Sequence, residues 1–161
     1  MERTVLNYAP DYWNTSYTDL QVQFDLRSHS EEYKRIAQEV KQATASPHLQ
    51  ISFIRRNQNI HDYGQVLIRE QLVTVSEGAN YYRVRRYITI LKHYLNCALD
   101  YNLDPRRCGK SSLIFQKYIS RPTFNEIILV VQVITDRPGA VSIQPTNSSE
   151  YFIDYIVGIK I

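Results

Sequence analysis

Apolar and polar positions along this chain recur with two periods, and the switches between them mark out its elements. In LQVQFDL, Leu20, Val22, Phe24 and Leu26 alternate with polar residues, the spacing of a half-buried strand that follows an aromatic anchor at Trp13. SHSEEYKRIAQEVKQA changes the period: Tyr33, Ile36, Ala37 and Val40 fall on one helical stripe. Ser28 or Ser30 can cap that helix, and Glu31 and Glu32 occupy its first turn, where the helix dipole favours carboxylates. SPHL ends it. LQISFIRR returns to alternation at Leu49, Ile51 and Phe53, a second strand.

NIHDYGQVLIREQLV predicts a helix carrying Tyr63, Val66, Leu67 and Glu70, with Gly64 as its weak point. SEGAN reads as a loop and YYRVRRYITI, rich in branched and aromatic residues, as a strand. LKHYLNCALDYNL then places Leu91, Tyr94, Leu95, Ala98 and Leu99 at i, i+3, i+4, i+7 and i+8, which predicts an amphipathic helix with His93 on its polar side. NEIILVVQVIT is continuously apolar, as a strand covered on both faces would be, and EYFIDYIVGIKI closes the chain as another strand. Strands at both ends with helices between them predict one α+β domain over residues 1–161, built on a mostly antiparallel or mixed sheet.

Composition narrows the function classes. A chain of 161 residues is long enough to bury a core, and five glycines leave little room for flexible linkers. No run of about 18 apolar residues is present, so no membrane span is expected, and MERTVLNYAPDYW lacks the apolar stretch of a signal peptide. Cys97 and Cys108 have no metal-ligand spacing and suggest a reducing compartment, cytoplasm or nucleus. No His, Cys, Asp and Glu set is spaced for a metal, and no serine elbow or Cys–His arrangement is visible. The net charge of +3 is too small by itself to imply a nucleic-acid binder. Arginines do cluster, however, and Tyr81, Tyr82 and Tyr87 interleave with one cluster. RNA contact is therefore one expectation for Arg83, Arg85, Arg86 and Tyr82, because aromatic stacking beside arginine holds single strands. The other expectation is ordinary solvated positions, balanced by 16 acids.

DPRRCGKSS contains Gly109-Lys110-Ser111, the close of a phosphate-binding loop. Such a loop needs another glycine five positions before Gly109, where this chain has Asp104 followed by Pro105. A carboxylate repels phosphate and proline removes a donor. The preceding element also reads as a helix, whereas the motif follows a strand. A nucleotide-binding loop is rejected on these grounds.

Taken with its neighbours, ALDYNLDPRRCGKSSLIFQK instead resembles the catalytic domain of the poly(ADP-ribose) polymerase (PARP) family, where a helix ends in an Asn-Phe-Asp-Pro-Arg turn and a Gly-Lys loop and strand follow. PDYW with the EEY helix, ISFIRRNQNIHDYGQVLIREQL, FNEIILVVQVITD and PTNSSEYFIDYIVGIKI resemble further family segments in the same order, most nearly those of the CCCH-zinc-finger branch, zinc-finger antiviral protein-like. The resemblance implies an ADP-ribosyltransferase-like fold: a split antiparallel or mixed sheet with flanking helices. It also implies three catalytic positions: a His that holds a ribose of NAD, a Tyr that flanks nicotinamide, and a late-strand residue, Glu in the elongating enzymes. By spacing these fall at Ile88, Ile114 and Glu150, with Thr89 in place of the Gly that follows the His.

Isoleucine offers no hydrogen bond to a sugar hydroxyl, and threonine cannot replace glycine where backbone must approach a carboxamide. The expectation is a pseudoenzyme that binds no cofactor and no metal, its former cleft filled by Ile88 and Ile114. It would serve as a protein-interaction scaffold, with exposed Tyr and Ile of the last strand as the partner surface, within an RNA-regulatory or antiviral protein. A divergent mono-ADP-ribosyltransferase using NAD with Glu150 is the alternative, and an RNA-binding module the third reading.

Overall fold

The computed structural model describes residues 2–17, 19, 21–76 and 80–160. The predicted strand position Leu20 and most of the SEGAN loop therefore lie outside the described residues. Chain order is α1 (Glu2–Leu6), β1 (Gln21–Asp25), α2 (Glu31–Ala43), β2 (Ile51–Asn59), α3 (Ile60–Ser76), β3 (Tyr82–Leu91), α4 (Leu95–Asp100), β4 (Phe115–Gln116), β5 (Glu126–Thr135), β6 (Ser142–Ile143) and β7 (Tyr151–Ile159). Short 3₁₀ turns at Lys92–Tyr94, Pro105–Arg107 and Ser148–Glu150 join some of them.

The strands form one seven-stranded sheet in the order β1-β2-β7-β5-β3-β4-β6, antiparallel at every pairing. The expected division of the sheet is absent as a break in the ladder. Its narrowest place is the junction of β3 and β4, made by the single pair Tyr87 and Gln116. Tyr87 also pairs with Val130 on its other side and so carries the ladder across.

Side-chain alternation assigns the two faces. On one, Ile127, Leu129, Val131 and Val133 of β5 pack with Ile88 and Ile90 of β3, Ala98 and Leu99 of α4, and Leu103, Cys108, Leu113 and Phe115 of the segment after it. On the other, Ile128 and Val130 meet Ile36, Ala37, Val40 and Ala43 of α2. Ile134, further along that second face, joins Trp13, Phe152, and Tyr63 and Val66 of α3. β5 is thus covered on both sides, as its unbroken apolar run requires.

α2 starts as read: the Ser30 side chain accepts from Tyr33 N at 3.2 Å, and Glu31 and Glu32 follow. β2 departs from simple alternation. An extra residue opposite β7 between Ile51 and Phe53 makes a bulge, so Ile51 and Ile54 serve the α2 side while Phe53 packs on the opposite face. In α3, Gly64 lies where α1 crosses, and a Cβ there would sit 3.2 Å from Val5 Cγ2.

Two expectations fail. The amphipathic helix over LKHYLNCALDYNL is only a 3₁₀ turn and the six residues of α4. Leu91 remains in β3 opposite Glu126, and Lys92 N donates to Asn125 O at 2.8 Å, so sheet pairing claims the first turn of the pattern. The last strand exposes no partner surface either. β7 is central, between β2 and β5, and all nine of its residues are buried.

Candidate functional site

Ile88 and Ile114, 26 positions apart, line the same cleft, a space of about 490 Å³ between β3 and the segment 109–120. Tyr87, Ile88 and Thr89 form one wall. Gly109, Lys110, Ser111 and Ser112 form another, and Gln116 and Ser120 complete the polar lining. The cleft is not filled, contrary to expectation. Ile88 is only 5% exposed because its side chain belongs to the core beneath, and Ile114 lies 42% exposed at the opening. The lining holds hydroxyls, an amide and one ammonium, but no imidazole and no carboxylate.

Local hydrogen bonds shape this loop and show why it is no phosphate cradle. Lys110 N donates to Pro105 O at 3.0 Å, so an N–H that a cradle would use is already committed. Asp104 caps the 3₁₀ turn, accepting from Arg106 N at 3.1 Å, and its carboxylate pairs with the Arg106 guanidinium at 2.9 Å. Gly109 has φ +65°, and a Cβ there would come 2.9 Å from the Tyr94 ring, so only glycine makes this turn without displacing that ring. Burial, reinforced by the charge of Glu39, pushes the Tyr87 phenol up to about 12, so it stays protonated at neutral pH.

Glu150 does not join this cleft. It is 9% exposed and caps the turn before β7. Its Oε1 accepts from Thr146 N at 2.7 Å, Thr146 Oγ1 at 2.6 Å and Asn147 N at 3.1 Å, while the Asn147 side chain accepts from Ser149 N. This is a reciprocal capping box, visible in the sequence as Asn-Ser-Ser-Glu.

The arginines expected to face RNA turn to internal partners. Arg83 holds Glu70 with two nitrogens, at 2.7 and 2.9 Å, and donates to Tyr63 Oη at 2.8 Å. Arg85 bridges Glu39 at 2.7 Å and Asp154 at 3.3 Å. Arg86, buried on the opposite face, donates to the carbonyls of Arg85, Pro138 and Ala140, each at 2.8 Å. Tyr82 remains exposed, but no row of outward guanidinium groups accompanies it. Sequence alone does not show these pairings, because Glu70, Glu39, Asp154 and the carbonyls of Pro138 and Ala140 reach β3 only through the fold. His93 is exposed beside Tyr94, as expected, although in a 3₁₀ turn.

The polar group that sequence reasoning missed is Asp154. It is fully buried, at a bulge of β7 opposite β5. Tyr12 Oη donates to it at 2.9 Å, Gln132 Nε2 at 3.2 Å and Arg85 Nη2 at 3.3 Å. Burial raises its pKa above the ordinary carboxylate value, partly offset by the charge of Arg85. Nearby, Arg56 binds both oxygens of Glu32 at 2.9 and 2.6 Å, and Tyr155 Oη donates to Glu32 at 2.8 Å. The Gln58 amide accepts from Asn14 N at 2.7 Å and donates to Asn14 O at 3.0 Å. Together these bonds stitch the PDYWN segment across the sheet. One signal was available: an acid in the middle of the apolar run FIDYIVG.

Among the described residues, no group of three or more His, Cys, Asp or Glu is arranged to hold a metal, and no helix is long and apolar enough to cross a membrane. Cys97 and Cys108 are both free thiols, and burial pushes that of Cys108 up. No protein-family model matches this chain, and no curated protein does.

Proposed function

We propose that the chain is an ADP-ribosyltransferase-like domain without NAD chemistry, acting as a protein-interaction module. The observation that carries this reading is the shared cleft of Ile88 and Ile114. Two positions that a PARP-type alignment equates with ribose-holding and nicotinamide-flanking residues line one cleft, and both are aliphatic. The third position, Glu150, lines a different cleft and is occupied as a cap. A site without the imidazole and the acid has nothing to orient a ribose or to support charge developing on it.

The interaction role draws support from the outer side of α3. Ile68, Leu72 and Val75 are exposed there at helical spacing, next to an apolar groove of about 550 Å³ formed with Val5 and Tyr8. Contiguous exposed apolar area of this kind marks binding surfaces.

Incubation with labelled NAD tests the reading. No label is expected on the protein or on added protein acceptors. Label that Glu150→Gln abolishes would establish the transferase reading instead.

A further inference from the structure

A second cleft, of about 310 Å³, lies between α3 and the connection from β5 through β6 to β7, walled by Arg69, Thr135, Arg137, Gln144, Thr146 and Glu150. Its walls are held from behind. Arg86 pins the carbonyls of Pro138 and Ala140, Thr135 Oγ1 accepts from Arg137 N at 3.1 Å, and three donors fix Glu150 Oε1. A space fixed this way loses little on taking a ligand.

Two groups in it are left over. Arg69 Nε is buried with no hydrogen-bond partner, and its guanidinium forms no ion pair among the described residues. Among the described residues Glu150 Oε2 accepts no hydrogen bond, although Oε1 of the same carboxylate accepts three. Buried polar groups are nearly always paired, so an orphaned arginine nitrogen at a cleft asks for an acceptor. The charges lining the space balance, with Arg69 and Arg137 against Asp136 and Glu150. A phosphate dianion would meet two carboxylates there, and a simple cation would meet two guanidiniums. A molecule with both charges meets neither penalty.

We infer that this cleft binds a free α-amino acid, its carboxylate on the Arg69 fork and its ammonium on Glu150 Oε2. Guanidinium and carboxylate match in planar, paired hydrogen bonds. A peptide carries the same two charges but sets them at least one residue further apart, whereas a free amino acid holds both on one small molecule that a space of this size admits. A space of 310 Å³ corresponds to roughly ten waters at about 30 Å³ each, enough for a small one. The two clefts share no lining residue, and Arg69, which has no part in the NAD reading, separates the two tests.

NMR titration at millimolar concentration, read at the Arg69 Nε–H resonance, tests it, using the common L-amino acids one at a time with acetate, methylammonium and inorganic phosphate in parallel. At least one amino acid should shift that resonance and saturate. Arg69→Lys, which keeps the charge and loses the fork, should weaken that binding about tenfold or more, followed on the backbone signals of Thr135 and Thr146. Glu150→Gln should weaken it without creating phosphate binding. No shift with any amino acid would overturn the inference. So would acetate or phosphate binding as tightly as the best amino acid, or full affinity in Arg69→Lys.

Discussion

Asp154 shows how much one residue organises here. It carries no solvent exposure, yet it joins the N-terminal segment through Tyr12, β5 through Gln132 and β3 through Arg85. Burial raises its pKa, so the native protein keeps this proton to higher pH than the unfolded chain. Its contribution to stability is complete below the ordinary carboxylate pKa and is lost as pH rises through the raised value. Asp154→Asn has no such proton to release. The stability of the native sequence relative to this variant should therefore fall with rising pH across the acid range, which denaturant midpoints at several pH values will measure; the opposite slope would mean that Arg85 outweighs burial. At the cleft, Gly109→Ala forces a side chain into positive φ and against the Tyr94 ring. It should cost about 1–3 kcal/mol in urea unfolding. Neither residue is equally legible in sequence. The Asn-Ser-Ser-Glu capping box can be read directly, because a cap is a local motif. The partners of Asp154 come from residues 12, 85 and 132, and only the fold brings them together.

Elements were legible where one local rule acted without competition. The α2 stripe, its Ser30 cap and the β5 run are of this kind, and Ser30→Ala should lower stability by about 1 kcal/mol in chemical denaturation. The pattern from Leu91 to Leu99 was misread because two rules competed. Pairing of β3 with β5 continues through Leu91, and the positive φ values at Asn102 and Leu103 turn the chain soon after α4 ends. The same reasoning separates strong strands from weak ones. β5 and β7 are central and long, whereas β4 and β6 contribute two residues each at the end of the sheet. Amide exchange should reach Phe115, Gln116, Ser142 and Ile143 well before Leu129 and Ile156, and comparable protection in both sets would refute this ordering.

At the scale of the whole molecule, the α+β class and a mostly antiparallel or mixed sheet were readable from strands placed at both ends of the chain, and the two aliphatic positions line one cleft. The cleft's openness was not readable. Ile88 leaves it by sinking into the core, and Ile114 by standing at the rim, a difference set by the tertiary path of segment 109–120. What remains is an accessible, hydroxyl-lined space with no imidazole and no carboxylate in its lining, and the proposed function requires that it hold no dinucleotide. Calorimetric titration of the protein with NAD is the most direct measurement of that claim. No binding is expected at millimolar NAD, and saturable binding in the micromolar range would contradict it.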